Sequence, residues 1–136
     1  MSDVLHLEVI TPASLVAQVS AAEVVGPGQE GQFGVLPGHV PYLIQLQAGE
    51  LKYRDEAGFH WFAIDGGFAE IGPDKVTILT RKAEAGEQLS SSVIQESIKK
   101  LEHDLLGPDL TDSERTVLAR DLNFEQIKLS LVGRRG

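Results

Sequence analysis

Gly31-Gln32-Phe33-Gly34-Val35-Leu36-Pro37-Gly38-His39-Val40-Pro41 breaks an otherwise apolar run with three glycines and two prolines. Gly31, Gly34 and Gly38 permit positive φ or the close approach of another strand, whereas Pro37 and Pro41 fix φ and withdraw an amide donor. Leu36-Pro37-Gly38-His39 therefore reads as a tight turn between extended segments, because proline then glycine suits the two central positions of a type II turn. Residues of this kind specify the path of the backbone rather than the chemistry of a surface.

Outward from that turn, the pattern from Val4 to Arg81 has period two, the mark of an all-β sandwich or barrel. Leu5, Leu7 and Val9 alternate with His6 and Glu8 before Thr11-Pro12, and Leu15, Ala17 and Val19 resume the alternation. Glu23-Val24-Val25 extends to a turn expected at Gly26-Pro27-Gly28. Beyond Pro41, Tyr42, Ile44 and Leu46 point one way, and Gly49 opens a separate stretch from Leu51 to Tyr53. Asp55-Glu56-Ala57-Gly58 closes a hairpin against Phe59 to Ile64. Gly66-Gly67 and Gly72-Pro73-Asp74 bracket a short strand, Phe68 to Ile71, and Val76, Ile78 and Thr80 end the region.

Past Ala83 the apolar period changes to that of a helix, which divides the chain into a β domain, 1–84, and a helical domain, 85–136. Ser92 with Gln95 forms a capping-box pattern, after which Ile94, Ile98, Leu101 and Leu105 share a face until Gly107-Pro108 stops the helix. Thr111 with Glu114 is a second capping box, opening a helix expected to reach about Leu131 with Val117, Phe124 and Leu131 on its seam. A short connection makes the two helices an antiparallel hairpin. Narrow apolar stripes leave that hairpin marginal alone.

At 136 residues the chain suits one domain or one domain with an appendage. The absence of cysteine rules out disulfides and thiolate metal sites. A net charge of −8 argues against nucleic acid and against an anionic membrane surface. The amino terminus has no basic region followed by an apolar one, so no leader is expected, and no run approaches the roughly 20 apolar residues of a bilayer span.

Candidate chemistry is sparse. Gly26-Pro27-Gly28-Gln29-Glu30-Gly31 matches a dinucleotide-binding fingerprint, but the residues that follow cannot form the helix whose amides would meet a pyrophosphate. His6, His39, His60 and His103 lack the spacing of metal ligands. His39 could serve as a base with Asp65 or Glu70, yet no nucleophile completes a catalytic set. Ser90-Ser91-Ser92 reads as a helix start. Arg115, Arg120, Lys128, Arg134 and Arg135 make the second helix and its tail more basic than the rest, as a solvated face or as a surface for an acidic protein.

The opening HLEVITP, the segment GQFGVLPGHVPYLIQLQAG, the run DGGFAEIGPDKVTILT and the terminal helical pair together resemble the ε subunit of bacterial F-type ATP synthases, equivalent to the mitochondrial δ subunit, over essentially the whole length. The resemblance implies a ten-stranded β-sandwich followed by an α-helical hairpin, in a non-catalytic subunit of the rotor's central stalk. It implies a sandwich that binds the γ subunit and rests on the polar loops of the c-ring, coupling proton flow to ATP synthesis. It places the subunit peripherally, at the cytoplasmic face of the bacterial plasma membrane, without inserting into lipid. By match to the family's turn, Gln32, Phe33, Pro37, Gly38 and His39 face the c-ring. The family's hairpin moves between a folded state and an extended state that blocks ATP hydrolysis beside the α and β subunits, and Arg115, Arg120 and Lys128 are the counterparts of its inhibitory contacts to β.

One departure stands out. Relatives that bind ATP in the hairpin carry Ile/Leu-Asp-x-x-Arg-Ala, where this chain has Leu89-Ser90-Ser91-Ser92-Val93-Ile94. The acid, the arginine and the alanine are lost, so no tight nucleotide site and no cofactor are expected, because serines cannot replace charge-assisted contacts to phosphate. From the residues alone, a free-standing ligand-binding β module with the hairpin as a dimerisation arm is the rival.

Overall fold

The computed structural model describes residues 4–132; Arg134 and Arg135 lie outside the described residues. Two compact units divide between Ala85 and Gly86.

The first unit holds strands β1 (Leu5–Ile10), β2 (Leu15–Ala21), β3 (Glu23–Gly28), β4 (Gly31–Val35), β5 (Tyr42–Asp55), β6 (Gly58–Ile71), β7 (Lys75–Leu79) and β8 (Ala83–Ala85). They form one eight-stranded sheet in the order β2-β1-β7-β6-β5-β3-β4, with β8 on β6. The β1–β7 pair is parallel, and the other ladders are antiparallel. Strands from opposite ends of that order share one core: Leu5, Leu7 and Val9 of β1 join Val24 of β3 and Val35 of β4. The sheet therefore folds over on itself as two layers enclosing apolar side chains, and a connection from Ala22 N to Arg54 O (2.7 Å) ties the β2–β3 junction to β5.

The expected ten strands are eight among the described residues. Gly49 and Gly66-Gly67 do not end strands as expected; β5 and β6 each run 14 residues, and their ladder keeps one register from Tyr42↔Ile71 to Asp55↔Gly58. The buried positions nevertheless change parity along both strands. Phe62 and Ile64 point inward before Gly66-Gly67, Ala69 and Ile71 after it, while on β5 Leu46 and Leu51 are both buried. Alternation from a single flat strand cannot do this. Gly66 (φ +75°) and Gly67 (φ +104°) supply the corner at which the pair passes from one layer to the other.

Gly26-Pro27-Gly28 is not a turn but the buried end of β3, whose last pair with β4 is Gly28↔Gly31. The chain reverses at Gln29-Glu30 instead. The glycines serve close packing: a Cβ on Gly26 would lie 2.6 Å from the Phe33 ring, and one on Gly49 would lie 2.9 Å from Pro27.

The second unit contains a 3-10 turn (Gly86–Gln88) and helices α1 (Ser91–Leu105) and α2 (Asp112–Val132), which pack together. Ser90, not Ser92, caps α1: its backbone is extended and its hydroxyl accepts from Val93 N at 3.5 Å. All three serines are able to cap, and the cap falls on the one whose backbone stays extended where the helix begins. At α2 the capping box forms as expected, Glu114 N donating to Thr111 Oγ1 (3.1 Å) and Thr111 N to Glu114 Oε1 (3.0 Å). Phe124 and Leu131 are buried, but Val117 on the expected seam is 52% exposed.

The Thr111 amide and then its hydroxyl hold the Glu114 carboxyl below the usual carboxylate range. A depressed pKa in the folded state stabilises above the unfolded pKa, and the effect fades as pH falls through the folded one. Thr111→Ala should lower helix stability by about 1 kcal/mol at neutral pH. The pH-dependent part belongs to the Glu114 carboxylate, so the difference between Glu114→Gln and the parent, followed by circular dichroism, should narrow on acidification below the carboxylate range.

Candidate functional site

The turn that interrupts the apolar run is built by backbone. Pro37 and Gly38 form its centre, Gly38 has φ +88°, and its amide donates to Pro73 O at 2.6 Å. The glycine sign is what a type II turn requires, and the bond to Pro73 pins the turn to the loop between β6 and β7. A side chain at Gly38 would have open space around it, so only its φ demands glycine. His39 is half-buried with Nδ1 2.8 Å from the Val40 carbonyl, which accepts from the Nδ1–H tautomer. Neither acid that could have paired with His39 does so: Asp65 is buried in an ion pair with Arg81, and Glu70 is exposed on β6 opposite Leu43. Among the described residues there is no metal-ligating cluster.

Of the other turn candidates, Gln32 is exposed and Phe33 half-buried on β4. Phe33 helps line an open groove of about 520 Å³ with Gln29, Glu30, Tyr42, Leu43 and Gln45; Gln32, Pro37, Gly38 and His39 lie outside its lining. The β3–β4 reversal is held over β5 by Gln29 N to Gln45 O (2.8 Å). Beside this groove stands a set of outward apolar side chains: Leu36, Val40, Tyr42 and Leu43 are all at least 55% exposed.

A second surface was not foreseen. Strand register places Phe68 opposite Leu79, Leu79 opposite Ile10, and Ile10 opposite Leu15, one row across β6, β7, β1 and β2. Phe68, Leu79 and Leu15 are 46%, 39% and 52% exposed, so the row faces outward. A neighbouring row carries Glu70, Thr77, Glu8 and Gln18, with Lys75 Nζ 3.0 Å from Glu8. The signal in the sequence was apolar residues at both parities of one short strand, Phe68 beside Ala69 and Ile71.

In the helical unit the three candidate cations differ. Arg115 Nη1 donates to Leu105 O (3.1 Å) at the end of α1, where carbonyls lack helical partners. Lys128 is buried, with Nζ 2.7 Å from Glu125 Oε2. Arg120 is exposed. Of the degenerate nucleotide segment, Leu89 is half-buried, Ser90 caps α1, Val93 is exposed and Ile94 is buried. No helix of the described residues is long and apolar enough to cross a membrane.

Among the described residues the β domain presents a pinned turn and an outward apolar row. Residues 4–86 match the family described as ATP synthase, Delta/Epsilon chain, beta-sandwich domain, and the chain belongs to that family, that of F-type ATP synthase epsilon chains. Membership makes it a subunit type without a catalytic centre of its own. The ATP synthase epsilon chain 2 of Syntrophotalea carbinolica is 32% identical over 136 residues, covering 100% of this chain and 99% of that one. The epsilon chain of Nitratidesulfovibrio vulgaris (strain Miyazaki F) is 44% identical over 89 residues, 65% of this chain and 66% of the relative. Similar folds occur in solved structures of the Euglena gracilis mitochondrial ATP synthase OSCP/F1/c-ring (TM-score 0.73, 23% identity, 93% of this chain and 80% of that one) and the Tetrahymena thermophila mitochondrial ATP synthase central stalk/c-ring (TM-score 0.54, 11% identity, 94% and 96%).

Proposed function

We propose that the chain is a central-stalk rotor subunit that couples proton flow through a c-ring to ATP synthesis, and that its helical pair restrains ATP hydrolysis. The reading places the β domain, 1–84, against a γ subunit and the c-ring loops, at the cytoplasmic face of a bacterial plasma membrane, and the helical domain, 85–136, within reach of the α and β subunits. The observation that carries it is the outward row Ile10, Leu15, Phe68 and Leu79: apolar side chains aligned across four strands suit a broad protein partner rather than a small ligand. That row is assigned to γ. The end of the domain bearing Gln32, Phe33, Pro37, Gly38 and His39, with the Tyr42–Leu43 groove, is assigned to the c-ring loops, where a pinned turn transmits force without deforming.

Capture of γ by the purified chain, followed by assembly with the c-ring, tests both assignments. Phe68→Asp should weaken γ binding by roughly tenfold or more, because truncating a well-packed aromatic anchor costs over about 1.4 kcal/mol, while thermal stability stays near that of the parent. Gly38→Val should keep γ binding and weaken c-ring docking, because a β-branched residue cannot hold the positive φ of the turn. Undiminished γ capture by Phe68→Asp, or a homodimer in sedimentation with no affinity for γ, overturns the reading.

A further inference from the structure

The outer face formed by β2, β1, β7 and β6 is ordered in rows. Beside the apolar row, two residues along β6, β7 and β1 and roughly 7 Å away, lie Glu70, Thr77, Glu8 and Gln18. The two carboxylates of this second row differ in what they already hold. Lys75 Nζ lies 3.0 Å from Glu8 Oε1 and Gln18 Nε2 donates to Glu8 Oε2 at 3.1 Å, so both oxygens of Glu8 are engaged. Glu70 is exposed, and among the described residues no cation or side-chain donor engages its carboxylate. Phe68, 46% exposed, precedes it by two on the same face of β6. An anchor ring and an open carboxylate thus stand side by side.

Backbone pairing offers a partner nothing in the middle of this face, because β1 and β7 each have strands on both edges. Side chains must do the recognising. Adjacent strands lie roughly 4.8 Å apart, so the apolar row is roughly 14 Å long, about two and a half turns of helix. A helix laid across the strands sets positions i, i+3 or i+4, and i+7 over Phe68, Leu79, Ile10 and Leu15, and its flank over the acidic row. We infer that the γ element received here is an amphipathic helix whose apolar stripe is bordered by a lysine or arginine, and that Glu70 is the residue that takes this cation. The inference rests on the assignment of the outward row to γ and adds the secondary structure and charge of what it receives. An apolar stripe holds a helix about equally well in either direction; one charge at the β6 end, next to Phe68, favours one of them. An exposed pair of this kind acts more on encounter and orientation than on affinity.

Binding of the full-length chain to immobilised γ, with association rates followed against salt, tests the inference. Glu70→Lys should lower affinity roughly tenfold or more, mainly through slower association, because it sets like charges against each other. Glu70→Gln should lower it roughly two- to fivefold and flatten the salt dependence. Both variants should melt as the parent does, because Glu70 is exposed. Glu56→Lys makes the same change of charge at the exposed β5–β6 turn and should bind like the parent. Charge reversal of the lysines and arginines of γ, one at a time, should find one position, in a helix, that restores capture of Glu70→Lys. If Phe68→Asp weakens capture while both Glu70 variants bind as the parent does, the γ assignment stands and this inference falls. Equal losses in Glu70→Lys and Glu56→Lys overturn it, as does a restoring position in a strand or loop, or none at all. A parent chain that does not bind γ overturns the assignment and the inference together.

Discussion

Gly67→Ala should destabilise the β domain by roughly 3 kcal/mol or more, because a strained backbone and an overpacked contact each cost about 1–3 kcal/mol. Gly67 has φ +104°, and a Cβ there would lie 1.8 Å from Leu79 O, 2.8 Å from the Leu79 carbonyl carbon and 2.9 Å from Thr80 Cα. Every one of these atoms is backbone, so no rotamer change relieves the clash. Relief requires β6 and β7 to part at the Phe68↔Leu79 pair, which adjoins the corner where the long hairpin changes layer. Thermal unfolding should shift down by roughly 12 °C or more for a domain of this size. Gly34→Ala is the control: its φ is not positive, its nearest neighbours stand 4.0 Å away, and its melting temperature should stay near that of the parent. A Gly67→Ala protein melting within a couple of degrees of the parent would show that the corner is not held as described.

Asp65, the residue before that corner, should be nearly as sensitive. Its carboxylate is 8% exposed and pairs with the Arg81 guanidinium, which is 28% exposed. Its amide is shared between Lys82 O (3.0 Å) and Thr80 Oγ1 (3.1 Å), and the Thr80 hydroxyl donates to Lys82 O (3.2 Å). This network joins β6 to the segment that leads through β8 toward the helices. Asp65→Ala removes one member of a largely buried pair, a change that costs about 3–5 kcal/mol when both partners are fully buried. Partial exposure of Arg81 reduces that to roughly 2–3 kcal/mol. A lowered urea midpoint and faster amide exchange at Ala83–Ala85, which hold to β6 by only three pairs, are the expected results. An unchanged midpoint would remove Asp65 from the structural account, whereas partial recovery in Asp65→Leu/Arg81→Met would support it.

Much of this was legible without coordinates. Alternation marked Leu5, Leu7 and Val9 as core, and all are fully buried. Thr111 and Glu114 announced a capping box that forms atom for atom, and the proline-glycine pair announced a turn with positive φ. Each of these depends on residues within a few positions of one another, where local sterics and hydrogen bonding decide the outcome. Tertiary packing overrode the local reading at Gly26-Pro27-Gly28, Gly49 and Gly66-Gly67. Glycine marks a turn and a close contact with the same letter, and only the partner tells which. The Phe33 ring over Gly26, Pro27 against Gly49 and the Leu79 carbonyl against Gly67 are those partners.

The candidate surfaces divide in the same way. From the sequence by itself came the β domain, the helical pair, the family resemblance and the rigid turn from Gly31 to Pro41, because period, capping and turn chemistry are properties of neighbours along the chain. The outward row of Ile10, Leu15, Phe68 and Leu79 was decided by strand register alone, which aligns residues from four strands that the sequence keeps apart. The tertiary structure likewise decided that Lys128 is buried against Glu125 while Arg120 faces solvent. Two cations on one helix differ only in the face they occupy, and what covers a face is set by packing.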